Sequence, residues 1–177
     1  AAEVDPGSGI KMSIGDNSYQ KFTAFHNTGV NELGWSSSFL LGFWQGDGWR
    51  NGMQGEGTTY AFSVGYTPRG GNHEFNFSLI GAGQWHHQAY YGTQLQDYLD
   101  YGPIQGDDYR KFNALYGDYQ GEEFSILRNY YNKPLATFNW DWEISSRVTL
   151  YGSAGRGGGT GLRGRGSYGV SPFRESY

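Results

Sequence analysis

Residues 135–144 read LATFNWDWEI, and taking every second residue splits them in two. Ala136, Phe138, Trp140, Trp142 and Ile144 fall on one side, Thr137, Asn139, Asp141 and Glu143 on the other. Successive side chains of an extended chain point to opposite faces, so this stretch is a β-strand with one apolar and one polar face. The same parity recurs upstream. From Thr59 to Thr67, Tyr60, Phe62, Val64 and Tyr66 oppose Ala61, Ser63 and Gly65, and Phe75, Phe77 and Leu79 then oppose Asn76 and Ser78, with Ile80 breaking the pattern. From Trp35 to Gln45, Phe39, Leu41 and Phe43 oppose Ser36, Ser38 and Gly42, with Leu40 and Trp44 as exceptions. Shorter or mixed candidates run from Ile10 to Ile14, Lys21 to Gly29 and Arg147 to Ala154. The total is about seven strands, of the length barrel strands have.

Composition agrees with an all-β chain. Among 177 residues there are 30 glycines, where average usage predicts about a dozen, and aromatics make up 18%. No window of about eleven residues carries the helical apolar period, and no apolar run reaches the roughly 18 residues of a transmembrane helix. A mean hydropathy of −0.66 does not exclude a membrane barrel, whose strands need only alternate positions apolar. The net charge of −4 removes the electrostatic support a nucleic-acid partner would need. With no cysteine there are no disulfides or thiolate metal sites. The chain opens without a signal peptide, so one has been removed or the chain starts inside a longer protein.

Connections alternate in length. Asn31 to Leu33, Pro68 to Asn72, and Ser145 with Ser146 read as tight turns; between them lie Gly46 to Gly57 and the long stretch from Trp85 to Pro134. An antiparallel up-and-down transmembrane barrel alternates in this way, short turns at the periplasmic rim and long loops outside. The second face is mostly Ser, Thr, Ala, Gly and Asn rather than Lys and Glu, which suits a lumen. Trp35, Tyr66, Trp85 and Trp142 stand near strand ends, as interfacial aromatic girdles do, cross-strand aromatic packing being the alternative. The expected lipid-facing residues are Tyr60, Phe62, Val64, Tyr66, Phe75, Phe77, Leu79, Phe138, Trp140 and Trp142. Seven strands do not close a barrel, and the ending Ser171, Pro172, Phe173 is no closing strand, so residues 1–177 are expected to be part of one.

Several groupings invite chemistry. The run Gly155 to Gly166, with Arg156, Arg163 and Arg165, lacks phosphate-loop spacing and reads as an extracellular loop whose arginines could meet lipopolysaccharide phosphate or an anionic solute. His86 and His87 are adjacent, so on a strand they point apart and cannot share a metal. Asp107, Asp108, Glu122 and Glu123 match no calcium-loop spacing and read as solvated. Asp141 and Glu143 share a face, as a glycosidase pair would, but in a barrel they are lumen-facing polar residues. No catalytic residue, metal or cofactor is expected. The loop from Asp47 to Glu56 combines Trp49 with the planar hydrogen-bonding groups of Arg50, Asn51 and Gln54; with Tyr90, Tyr91, Tyr98 and Tyr101 of the long loop it is the candidate ligand surface, shape-fixing loop contacts being the alternative.

The stretches FLLGFWQGDGWRNGMQGEGTTYAFSVGYTP, FNFSLIGAGQWHHQ, EEFSILRNYYNKPLATFNWDWEIS and LYGSAGRGGGTG resemble the barrel region of TonB-dependent receptors of the Bacteroidetes type, over nearly the whole chain. The resemblance implies the first half of a 22-strand outer-membrane barrel of a Gram-negative bacterium, following a plug domain that lies outside this sequence. It implies active import of a large or scarce solute such as a ferric siderophore, glycan or cobalamin, coupled to TonB through that plug, with a surface lipoprotein as a further partner. Two alternatives stand: a small non-transporting outer-membrane barrel or adhesin, and a soluble β-rich carbohydrate-binding protein.

Overall fold

The computed structural model describes residues 5–89, 92–158 and 160–165, the last six by backbone alone. Strands β1 (Gly7–Ile14), β2 (Gln20–Asn27), β3 (Trp35–Gly46), β4 (Gly55–Tyr66) and β5 (His73–His87) each pair antiparallel with the next. After an excursion, β8 (Leu127–Asn132) pairs with the end of β5 and β9 (Leu135–Ser145) with its beginning. The final strands β10 (Val148–Gly157) and β11 (Thr160–Arg165) pair back on β9 and β8. Thus β8 continues into β9, and β10 into β11, each with one interruption. Pro134 sits in the first; it has no N–H to give to a ladder. Gly158 N–H, in the second, donates to the Pro134 oxygen at 3.1 Å, so the two breaks lie side by side. The architecture is a meander of seven long ribbons, every one beside its chain neighbours, as the parity of the sequence predicts. The sheet is open, with β1 at one edge and β10–β11 at the other among the described residues.

In such a meander consecutive connections lie at opposite ends. The connections 28–34, 67–72 and 146–147 share one end, and 15–19, 47–54 and 88–126 share the other. We call these the turn end and the loop end. The first turn is held by Asn31, whose Oδ1 accepts from the N–H groups of Leu33 and Trp35 at 2.9 and 3.0 Å.

Register carries most apolar positions of the ribbons onto one face, leaving a row of Phe25, Leu40, Ala61, Ile80 and Leu135 on the other. Met12, Phe22 and Phe43 stand in line, as do Phe39, Phe62, Leu79 and Ala136, then Val64, Phe77, Phe138 and Ala154, and Tyr66, Phe75 and Trp140. All ten residues expected on the apolar side share this face. The charges it carries are Glu56, Arg128 and Arg156, in the loop-proximal halves of their strands, whereas Lys11, Lys21, Glu74, Asp141 and Glu143 take the opposite face. There Ser63, Asn76 and Ser78 hydrogen-bond to one another across β4 and β5. The joint excess of glycine and aromatic residues has a common cause: Phe25 lies over Gly9, Trp44 over Gly57 and Tyr60 over Gly81, each ring in space a side chain would fill.

Among the described residues neither face is covered. Ile14 is 86% exposed, Met12 75% and Leu41 58%, and Phe39, Phe62, Phe77 and Phe138 also remain open. A compact chain of 19.8 kDa is expected to expose about 8600 Å², whereas this one exposes 12419 Å². Among the described residues the buried apolar side chains are Ala89 and Phe112, both in the 88–126 excursion, so what core there is lies in that tip rather than against the sheet.

The tip is shorter and more ordered in its elements than the single long loop expected between Trp85 and Pro134. Strand persists at both of its margins, through His87 and from Leu127, leaving 88–126 to form helix α1 (Leu95–Gln105), a single 3-10 turn (Tyr109–Lys111) and a hairpin of β6 (Tyr116–Tyr119) and β7 (Glu122–Ser125). The Gln94 N–H donates to Asp97 Oδ2 at 3.0 Å, capping α1 at its start. The glycine-arginine run beginning at Gly155 also departs from expectation: it pairs as strand through Gly157 and again over Thr160–Arg165, because β9 and β8 supply its partners. Its remainder, with Ser171, Pro172 and Phe173, lies outside the described residues.

Candidate functional site

At the loop end the turn 47–54 is bolted to its neighbours through the backbone. Asp47 N–H donates to the Asn17 oxygen at 2.8 Å, Asn51 N–H to the Lys111 oxygen at 2.9 Å, and His87 N–H to the Gln54 oxygen at 3.0 Å. Asn113 is the hub of the tip. Its Nδ2 donates to the Asn51 oxygen at 2.9 Å and to the Gln88 oxygen at 3.3 Å, while its own N–H donates to Gln105 Oε1 at 3.0 Å. Gln105 Nε2 in turn donates to the oxygens of Asn113 and Tyr116. These bonds explain how a polar segment stays folded with so little apolar burial: buried amides are satisfied reciprocally.

Between the turn and the tip lies an open cleft of about 510 Å³. The turn contributes Trp49, Arg50, Asn51 and Gln54, all four of the residues expected there, and the tip adds Gln105, Lys111, Tyr116 and Glu123. Asn51 is committed to holding the loop, since its side chain also donates to the Gln105 oxygen at 3.3 Å. Trp49 is about half exposed. Tyr98 and Tyr101 do not line this cleft; both pack on Phe112, at centroid distances of 5.7 and 6.2 Å, and Arg50 reaches the Tyr98 ring at 5.8 Å. Tyr90 and Tyr91 lie outside the described residues. The tip's cleft residues carry no local signal in the sequence, because only the folding back of α1 and the hairpin brings them to the turn.

Burial and a hydrogen bond to the Glu123 carboxylate hold the Tyr116 phenol protonated above its usual range. The Asp108 carboxyl lies below its usual range because Arg110 donates to it through Nε and NH2, at 2.8 and 2.9 Å. His86 and His87 point to opposite faces, and among the described residues no three His, Asp or Glu side chains gather as a metal site would require. Asp141 and Glu143 share the polar face, Asp141 directly across from Glu74.

Both margins of the apolar face carry aromatics, and at each one indole has a polar partner. At the turn end Trp35 stacks on Tyr66 at 4.5 Å, and His73 sits 5.4 Å from Trp142, its Nδ1 accepting from Trp140 Nε1 at 3.2 Å. At the loop end Trp85 Nε1 donates to Glu56 Oε1 at 2.9 Å under the Arg128 guanidinium, 4.3 Å from the ring.

Comparison with family profiles, curated proteins and solved structures finds no match. The functional argument therefore rests on the two faces and the loop-end cleft.

Proposed function

We propose that this chain is part of the wall of an outer-membrane β-barrel, its apolar face toward lipid and its polar face toward the lumen, in an energy-coupled transporter that imports a large or scarce solute such as a ferric siderophore or glycan. The observation that carries the reading is the uncovered apolar face, running across the ribbons and bordered by aromatics at both margins. In water a patch of that extent is far beyond the few hundred Å² that monomeric proteins leave open, whereas against hydrocarbon it needs no cover.

Dimensions support it. The 12 residues of β3 and of β4 span about 40 Å, and at a barrel tilt of about 40° they rise about 30 Å, enough for an apolar band of about 25 Å with its flanking girdles. Trp and Tyr rings with one polar edge favour the depth where acyl chains give way to headgroups. The folded tip and the cleft beneath it then stand on the extracellular side, where a solute arrives. Coupling to TonB through a plug domain, and any lipoprotein partner, rest on the resemblance in sequence alone.

The test is extraction. The full-length protein that contains this chain, expressed in a Gram-negative host, should fractionate with the outer membrane, require detergent for release and migrate on gels in a heat-modifiable way. Free solubility without detergent would falsify the membrane reading and restore a soluble β protein as the better account.

A further inference from the structure

His87 stands where the turn 47–54, the tip and the sheet join. It closes β5 and is the one buried histidine among the described residues, 8% exposed. Its N–H donates to the Gln54 oxygen at 3.0 Å, which holds the turn. Directly across from it is Arg128 of β8, and with that pair the β5–β8 ladder ends. One residue further, Gln88 N–H donates to the Leu127 oxygen at 3.0 Å, and the chain leaves for the tip.

The contact between the two side chains admits one protonation state. Arg128 Nε donates to His87 Nε2 at 3.2 Å, while the same guanidinium lies 4.3 Å from the Trp85 ring. A guanidinium only donates and keeps its charge at any ordinary pH, so Nε2 is the accepting nitrogen and the neutral ring carries its proton on Nδ1. That Nδ1 is buried, the Gly52 backbone standing close by but outside hydrogen-bond geometry. A proton on Nε2 would set donor against donor and cation against cation, in a site shielded from water.

Among the described residues no carboxylate offsets that conflict. The charged or titratable groups acting on the ring are Arg128 and His86. On β4 Glu56 accepts from Trp85 Nε1, and the turn presents the uncharged Gly52 and Gln54. His87 follows Trp85 by two residues and so lies beyond the loop-end margin of the apolar face. There burial above all, and then Arg128 and His86, hold the imidazole below its usual range, against the Gly52 backbone. Once the junction parts, the ring is hydrated and binds its proton more readily. Closure is therefore undiminished above about pH 6.5 and is lost progressively as the pH falls below it.

We propose that the His87–Arg128 contact is an acid-released latch: with the imidazole neutral it fastens the tip and the turn 47–54 to the sheet, and uptake of a proton parts them and opens the cleft. The latch goes beyond the transporter reading and does not depend on it, since the junction is the same whatever covers the apolar face.

The experiment is amide hydrogen exchange, read by mass spectrometry, on the full-length protein that contains this chain, in detergent, at about pH 8 and about pH 5 with rates corrected for the intrinsic effect of acid. In acid, exchange in 47–54 and 105–116 should accelerate by about tenfold relative to the β3–β4 ladder, the weight of one hydrogen bond to a charged group. His87→Gln, whose Oε1 can accept from Arg128 but takes no proton, should stay closed in both conditions, and His87→Ala should be open in both. His86→Gln, on the opposite face, should keep the acid response. Exchange of the imidazole C2 hydrogen, which follows protonation ring by ring, should place the His87 midpoint at the pH where the tip opens. An acid response that survives His87→Gln, protection that is the same in both conditions, or equal acceleration of the β3–β4 ladder would each overturn the proposal.

Discussion

Asn113 donates its side-chain amide to the backbone oxygen of Asn51 at 2.9 Å, tying the tip to the turn between β3 and β4. Asn113 is 1% exposed, and its Oδ1 accepts from Leu115 N–H at 3.1 Å. One side chain thus satisfies groups on three segments that share few apolar contacts.

Replacing it should therefore loosen the cleft without touching the sheet. For Asn113→Ala, leaving buried partners unpaired costs about 1–3 kcal/mol. Amide exchange in 47–54 and 105–116 should accelerate accordingly, with the β3–β4 ladder unchanged. Equal acceleration throughout the strands would show that the tip is not a separate unit.

If the apolar face meets lipid, Phe138→Arg should lower the assembled fraction by about 2–4 kcal/mol when folding is titrated with urea in lipid vesicles. Asn139→Arg, one residue along and on the other face, should cost far less. Comparable damage from both would remove the facing assignment.

Depth can be read directly. In single-tryptophan variants, Trp142 and Trp85 should be quenched most by lipids brominated near the headgroup, since they mark opposite margins of the apolar face. Trp44 should be insensitive to bromines at every depth. Strong quenching of Trp44 would place the polar face against lipid.

Alkaline pH should open the tip. A phenol whose folded pKa is raised stabilises the fold fully below its ordinary value near ~10 and loses that contribution as pH climbs through the raised value. Absorbance titration should place Tyr116 above the ordinary phenol range, and Glu123→Gln should bring its midpoint part of the way back, burial remaining. An unchanged midpoint in that variant would exclude the carboxylate as a cause.

Most of the sheet was legible from parity because one face is apolar through the middle of most ribbons and a one-residue slip would invert it. Tyr60 to Tyr66 and Ala136 to Ile144 declare their faces unaided. Legibility failed where pairing came from elsewhere. Leu127–Asn132 and the glycine-arginine stretch after Gly155 show no alternation of their own and are strands because partners stand beside them. Helix α1 contains Gly102 and Pro103 and has no apolar stripe; Gly102 is close against Tyr109, where a β-carbon would lie 2.7 Å away. At the cleft, Trp49, Arg50, Asn51 and Gln54 could be named from one short loop. Gln105, Lys111 and Glu123 could not, since long-range folding of the tip brings them there.

Pro134 and Gly158 meet across the last two ribbons through one hydrogen bond, 3.1 Å from the Gly158 N–H to the Pro134 oxygen. Beside them β5 runs unbroken from His73 to His87, pairing with β9 at its beginning and with β8 at its end. The continuous strand acts as a splint across its neighbour's break. Because β8 leads directly from the tip, the roof of the cleft is thereby fastened to the wall below it.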